Sequence, residues 1–344
     1  MGHIRAYIRR GSFLVATMLF ATFVTAPSVL AAVTVSEYTL PSSTSEPDGI
    51  AAGPDGNLWY VENDSNRISK ITTSGAVTQY DIPSPTSGTQ NITAGPDGNL
   101  WFAEQIPNKI GKITPSGTIT EYTVTTSNSL PSFLAAGPDG NVWFTEQVSN
   151  KIGKITPTGT ITEYLVPGPN ISLSGITAGP DGNLWFTETD TNKIGKITTS
   201  GTITEYDLAS GSYPYGIAAG PDGNVWFTEV ISNKIGQITP SGTITEYSVP
   251  TAMSSPIHIT AGPDNNMWFT ENTAHQIGVV RGLNIISNSS GNLSGGAGQT
   301  IIAPKTGHGA PSKHDPIATA IALTGIVSMG AGLGLIYKKQ RKHY

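Results

Sequence analysis

All six tryptophans of this 344-residue chain occupy one place in a repeat: Trp59, Trp101, Trp143, Trp185, Trp226 and Trp268, spaced 41 or 42 residues apart. Around each lies a phrase such as ITAGPDGNLWFTE, then NKIGKIT, then SGTITEY. A unit of this length cannot bury its own apolar surface, so copies must stack, and about 40–45 residues is the size of a four-stranded propeller blade.

Each unit reads as four strands. In the second, strand A starts at Ile92 and stops at the Pro96-Asp97-Gly98 turn; strand B is Asn99–Glu104, with apolar residues on both faces. Strand C is Lys109–Thr114, and Pro115-Ser116-Gly117 turns it into strand D, Thr118–Tyr122. Glycine suits both turns because it adopts positive φ without strain. Both faces of a blade pack on neighbours, so the pattern predicts an all-β, six-bladed β-propeller over residues 33–282. The last unit reaches Arg281 without a D strand, whereas a spare copy, Val35-Ser36-Glu37-Tyr38-Thr39, precedes the first. The expectation is that Val33–Leu40 completes the sixth blade and closes the ring without an unpaired edge. Residues 283–302 turn to Gly, Ser and Asn and read as a flexible linker.

The two ends read as address labels. Residues 1–32 have the form of a secretory signal: Arg5, Arg9 and Arg10, an apolar run Phe13–Val24, then Ala31 and Ala32. Ile317–Tyr337 is 21 residues without a charge, long enough at ~1.5 Å per residue to span a membrane as a helix. Lys338, Lys339, Arg341 and Lys342 follow in the basic tail 338–344 and would hold it in the cytoplasm. Within 303–316, Ala303-Pro304-Lys305-Thr306-Gly307 resembles the sorting signal of sortase-anchored wall proteins. That resemblance implies cleavage between Thr306 and Gly307, with sortase and the cell envelope as partners; the alternative is a retained transmembrane helix. Either way the ring sits at the cell surface.

Absences narrow the chemistry. With no cysteine, disulfides and thiolate metal sites are excluded. None of the six histidines forms an H-x-x-x-H or H-E-x-x-H run, so zinc-hydrolase motifs are missing. A net charge of -5 offers no basic surface for nucleic acid, and a self-closing ring is expected to be a monomer.

The repeated phrases resemble those of the streptogramin B lyase (virginiamycin B lyase) family. The resemblance implies a seven-bladed propeller that opens a cyclic depsipeptide lactone by elimination, using a catalytic histidine and a divalent metal, usually magnesium, beside acidic residues at the channel mouth. A base removes a proton α to a carbonyl while the metal stabilises the developing oxyanion. The place that the resemblance gives to histidine, second in the P-x-G-I phrase, holds Asp48, Gln90, Ser132, Ser174, Tyr215 and Ile257 here. The acidic place after strand B holds Asn63, Gln105, Gln147, Thr189, Val230 and Asn272. Glu46-Pro47-Asp48-Gly49 is similar to the family's E-P-H-G with Asp for His.

Three readings follow. The first is a surface module that binds a small molecule, glycan or protein and needs no cofactor. The second is a magnesium-dependent lyase with an altered site, for which Asp48, His258 and His275 are candidate catalytic residues. The third is a gluconolactonase-type lactonase, whose calcium cluster Asp48 and Asn91 alone do not supply. The glutamates at each strand-B exit, Glu62 through Glu271, recur in every blade and so read as architecture. Asn66, Asn108, Asn150, Asn192 and Asn233 open strand C where a left-handed turn is needed, and His275 replaces them in the sixth blade. Strand alternation turns His258 away from the channel if Ile257 faces it. The D–A and B–C connections differ from blade to blade and share one face of the ring. Any ligand is therefore expected there, over Asp48, Gln90, Ser132, Ser174 and Tyr215.

The anchoring expectation is tested by intact mass. Envelope-bound protein ending at Thr306 and resisting detergent bears out sorting, and detergent-extracted chains running to Tyr344 show the retained helix. Recovery of the whole chain from the cytoplasm contradicts both.

Overall fold

The computed structural model describes residues 38–41, 46–283 and the backbone of 301–302. Residues 38–41 belong to a separate compact unit, 1–41, and carry no strand. The second unit holds six antiparallel four-stranded sheets. Blade two shows the pattern: A is Ile92–Ala94, B Leu100–Glu104, C Lys109–Ile113 and D Ile119–Thr123. Strands A of successive blades contact one another and form the inner wall.

Turn chemistry sets these sheets. Gly98 and Gly117 sit at φ 74° and 94°, and Asn108 at 58° opens strand C as the sequence indicates. The Asn108 amide does more than tolerate that conformation. Its nitrogen donates to the carbonyl of Thr126 at 2.8 Å, and its oxygen accepts from the Ser129 N–H at 2.8 Å, tying the B–C turn to the D–A connection.

Blades are joined by a recurring set of contacts. The Trp101 indole N–H donates to Asp97 at 2.9 Å, and its ring stacks on Tyr122 with centroids 5.8 Å apart. Lys112 lies over the same ring at 5.2 Å and donates to the carbonyl of Pro157 in the next blade at 2.8 Å. Tyr122 in turn rests on Gly159 of that blade, where any Cβ would overlap its ring. Five such apolar seams join blade one to blade six in order, each pairing one blade's Trp with the next blade's strand-B residues. Each large apolar side chain buried this way contributes roughly 1.5–3 kcal/mol.

The seam between blade six and blade one is not packed. Ile50 is 62% exposed, whereas its counterparts Ile92, Leu134, Ile176, Ile217 and Ile259 are 4–9% exposed. Leu58 at 41% and Ile277 at 48% have counterparts that are essentially inaccessible. Trp268 alone among the tryptophans is only partly buried. Side-chain chemistry contributes to this: Val279 stands where Lys112 stands in blade two, so no lysine lies over the Trp268 ring from that place.

Beside strand C of blade six the described partner is Ile301–Ile302, paired with Val280 and Val279; the expected closing strand Val33–Leu40 lies largely outside the described residues. Two residues reach only part of that edge, so Gln276–Gly278 have no outer strand partner among the described residues. Residues 33–37, most of the linker (284–300), the sorting phrase and the apolar run 317–337 lie outside the described residues. Among those described, no helix is long and apolar enough to cross a membrane.

Truncation separates a packed seam from an open one. Trp101→Ala should destabilise the protein by about 3–5 kcal/mol, the usual cost of a buried aromatic, and Trp268→Ala by much less. Equal costs in chemical denaturation would contradict an open sixth seam.

Candidate functional site

The inner strands are irregular where they meet the lumen. In blade six Pro256 pairs with Glu271 and Ile259 with Phe269, so Ile257 and His258 together oppose one residue. The same bulge recurs at Asp48-Gly49, Ser132-Phe133, Ser174-Gly175 and Tyr215-Gly216. A bulge breaks strict alternation and re-aims side chains. Threonines of the neighbouring blade hold it: the Thr228 hydroxyl donates to the carbonyl of Ile257 at 2.8 Å and accepts from the Gly216 N–H at 2.9 Å. The inner strands approach closely at the glycines, where a Cβ on Gly175 would sit 2.6 Å from the carbonyl oxygen of Tyr215.

The bulges create a lumen cavity of about 190 Å³ whose wall includes Asn91, Phe133, Gly175, Gly216 and His258. His258 therefore lines the channel, which corrects the expectation from alternation. Phe133, Tyr215 and His258 come from blades three, five and six and meet as an aromatic cluster. Phe133 and Tyr215 lie edge to face at 5.7 Å, and His258 is 6.0 Å from Tyr215 and 6.5 Å from Phe133.

Asp48 and His258 influence each other across this space. Crowding by the wall lifts the Asp48 carboxyl above its usual range, against the pull of the nearby imidazole. It lowers the His258 imidazole, against the pull of Asp48. Each group thus shifts toward its uncharged form, and His258 is neutral at pH 7.

The other expected site residues scatter. Ser174 is buried, with its hydroxyl 2.8 Å from that of Thr189. Ser132 is buried against the Gln105 amide. Gln90 offers its backbone carbonyl to the Gly49 N–H at 3.1 Å. His275 sits in the B–C turn at φ 54°, and the cavity wall does not include it. Phe133, on the wall, was passed over by the sequence reading, and Asn91, named there only for a calcium cluster, lines the cavity beside it. Their signal was departure from glycine at the third place of P-x-G-I.

The strand-B glutamates do not face a common centre. Each is buried within its own blade. Glu104 is held against a Lys109–Glu121 ion pair of 2.7 Å, and burial pushes its carboxyl up to about 8. Glu146 is pushed up to about 7 and Glu188 to about 8 for the same reason. Among the described residues no three of His, Asp, Glu or Cys gather to hold a metal. Among the described residues the lumen offers the Asp48 carboxyl and the His258 imidazole, a donor set that does not fit the magnesium implied by the resemblance.

Comparison with known proteins bears on this geometry. The Virginiamycin B lyase family profile matches residues 28–172 and 170–288. The chain belongs to the virginiamycin B lyase family. Among solved members, streptogramin B lyase is 40% identical, with 72% of this chain and 83% of that one covered and a TM-score of 0.69. Virginiamycin B lyase from Staphylococcus aureus is 44% identical over 71% of this chain and 84% of that one, at 0.68. A catalytically inactive His-to-Ala variant of the latter with quinupristin is 43% identical over 73% and 86%, at 0.70. Family membership thus covers the whole of the ring.

Buried neutral carboxyls make stability depend on pH. A folded-state pKa raised above the ordinary value stabilises fully below about 4.5, and that stability is lost as pH rises toward about 8. Thermal unfolding is therefore expected at lower temperature at pH 8.5 than at pH 5.5, and Glu104→Gln should flatten that slope. A slope unchanged by Glu104→Gln contradicts a neutral Glu104.

Proposed function

We propose that this chain is a surface-held binding member of the virginiamycin B lyase family, taking a compact ligand into its lumen without opening it. The observation that carries the reading is the aromatic cluster of Phe133, Tyr215 and His258, of which Phe133 and His258 line the lumen cavity. Aromatic walls recognise flat apolar groups, and Asn91 on the wall adds hydrogen-bonding capacity. The loops that vary between blades surround that mouth and supply individuality on a uniform scaffold. The signal-like N-terminus and the apolar, basic C-terminus support export and anchoring through the envelope and a sortase.

A second reading rests on the Asp48–His258 relation. A neutral imidazole beside a carboxyl is a competent general base, and proton abstraction α to an ester carbonyl would open a lactone by elimination. Without a fitting metal set, the developing oxyanion has no strong electrophile among the described residues, so binding without turnover is the better-supported outcome.

Quinupristin, which a relative has been seen to hold, separates the readings. Incubation with the purified protein and magnesium, followed by mass spectrometry, should return the intact ring. Calorimetric binding should weaken about tenfold in Phe133→Ala, the scale of one aromatic pair. Ring-opening that His258→Ala abolishes would establish the lyase reading instead, with His258 as its base. Absence of both binding and turnover removes quinupristin-like compounds from the ligand class.

A further inference from the structure

The face of the ring that carries the D–A and B–C connections bears aliphatic side chains that the fold does not need. Away from the sixth seam, the exposed large apolar residues of the ring are Ile106, Val148, Ile231, Met253 and Leu165. Ile106, Val148 and Ile231 occupy one place, the second residue of the B–C turn in blades two, three and five, and are 47%, 51% and 54% exposed. Met253, 67% exposed, lies in the D–A connection between blades five and six. The same turn place holds Asp64, Asp190 and Thr273 in blades one, four and six. The turn is indifferent to the change, since the asparagine two residues on keeps φ between 54° and 58° in blades one to five. Folding does not call for an aliphatic residue there, and its exposure points to a surface role.

Charge narrows the partner. Among the described residues, the connections of this face contain no lysine or arginine, and their acidic residues are Glu46, Asp64 and Asp190. The cation that opens strand C in blades one to five is paired inside its own blade, as Lys109 is with Glu121 at 2.7 Å. In a ring of six successive blades the first and fourth are opposite, so Asp64 and Asp190 stand across the mouth from each other. Ile106 and Val148 lie on one flank between them, and Ile231 and Met253 on the other. An anionic bilayer would be repelled by these carboxylates and needs basic groups that the face lacks. Two copies set mouth to mouth would confront acid with acid and have no base to pair them. Exposed polar side chains such as Ser127, Asn128 and Asn170 offer hydrogen bonds to peptide amides.

We propose that this face is a docking surface for a basic, apolar peptide segment of a protein partner. Its aliphatic side chains cover Ile106, Val148, Ile231 and Met253, and its lysines or arginines meet Asp64 and Asp190. The surface is separate from the lumen cavity, whose described wall contains none of these six residues. It therefore goes beyond ligand binding in the lumen: the inner strands serve a compact ligand, and the outer turns serve a chain that lies across them. Specificity is set by the B–C turns, where blades differ while their scaffold does not.

The test is NMR on the full chain labelled at isoleucine and methionine methyls, with two probes, acetyl-LKVLKVL-amide and its glutamate counterpart acetyl-LEVLEVL-amide. The lysine peptide should move the Ile106, Ile231 and Met253 signals and leave buried Ile176 in place. It should bind at least about tenfold more tightly than the glutamate peptide. Asp64→Asn with Asp190→Asn should remove that preference, and Ile106→Ser with Val148→Ser should weaken the lysine peptide about tenfold. All four are exposed turn positions, so these variants should keep the parent melting temperature. Phe133→Ala should leave the response intact; if it abolishes it, the peptide enters the lumen and the proposal falls. Equal affinity for the two peptides, or methyls that stay still with both, also overturns it. So does movement of the same signals on dilution of the free chain, which makes a second copy the occupant. Movement with phosphatidylglycerol vesicles overturns it too, in favour of a membrane.

Discussion

The repeat tryptophan is the point on which the architecture turns. Its indole N–H is held by the aspartate of the A–B turn, one face carries a tyrosine and a lysine of its own blade, and its edge packs into the next. The lysine then reaches a backbone carbonyl in the neighbouring C–D turn, and the tyrosine requires glycine there. A blade is therefore specified by what it offers forward and by what it accepts from behind. This makes the ring a chain of nearest-neighbour interactions, with stability distributed over seams. Where the forward-facing set is incomplete, as in blade six, the seam stays open.

That incompleteness and the lumen chemistry meet at one residue. His258 sits on the bulge of the last inner strand, so it faces the channel on one side and the open seam on the other. Bulges place functional side chains because they violate the alternation that governs the rest of the strand. The scaffold contributes narrow inner strands fixed by threonine hydroxyls and glycine contacts. Site individuality comes from the few inner-strand places where Phe133, Asn91, Tyr215 and His258 depart from the repeat.

Much of the architecture was legible because it is written six times. Tryptophan spacing gave the blade number, and Gly98, Gly117 and Asn108 marked their turns through the positive φ they adopt. One matter was not legible. Lumen orientation depends on a bulge, and the bulge is fixed by a threonine two strands and one blade away, a long-range contact that no local pattern records. Ser132 and Ser174 were therefore assigned to the channel and Phe133 and His258 were not.

Five packed seams and one open seam make a claim about local stability around the ring. Native-state amide hydrogen exchange, read blade by blade, measures it directly. The account predicts that inner-strand amides of blades three and four exchange only through global unfolding. Those of Ile50–Ala52 in blade one and of Thr270 and Ile277 in blade six should exchange faster, through local opening at the unpacked seam. Equal protection in all six blades would contradict it.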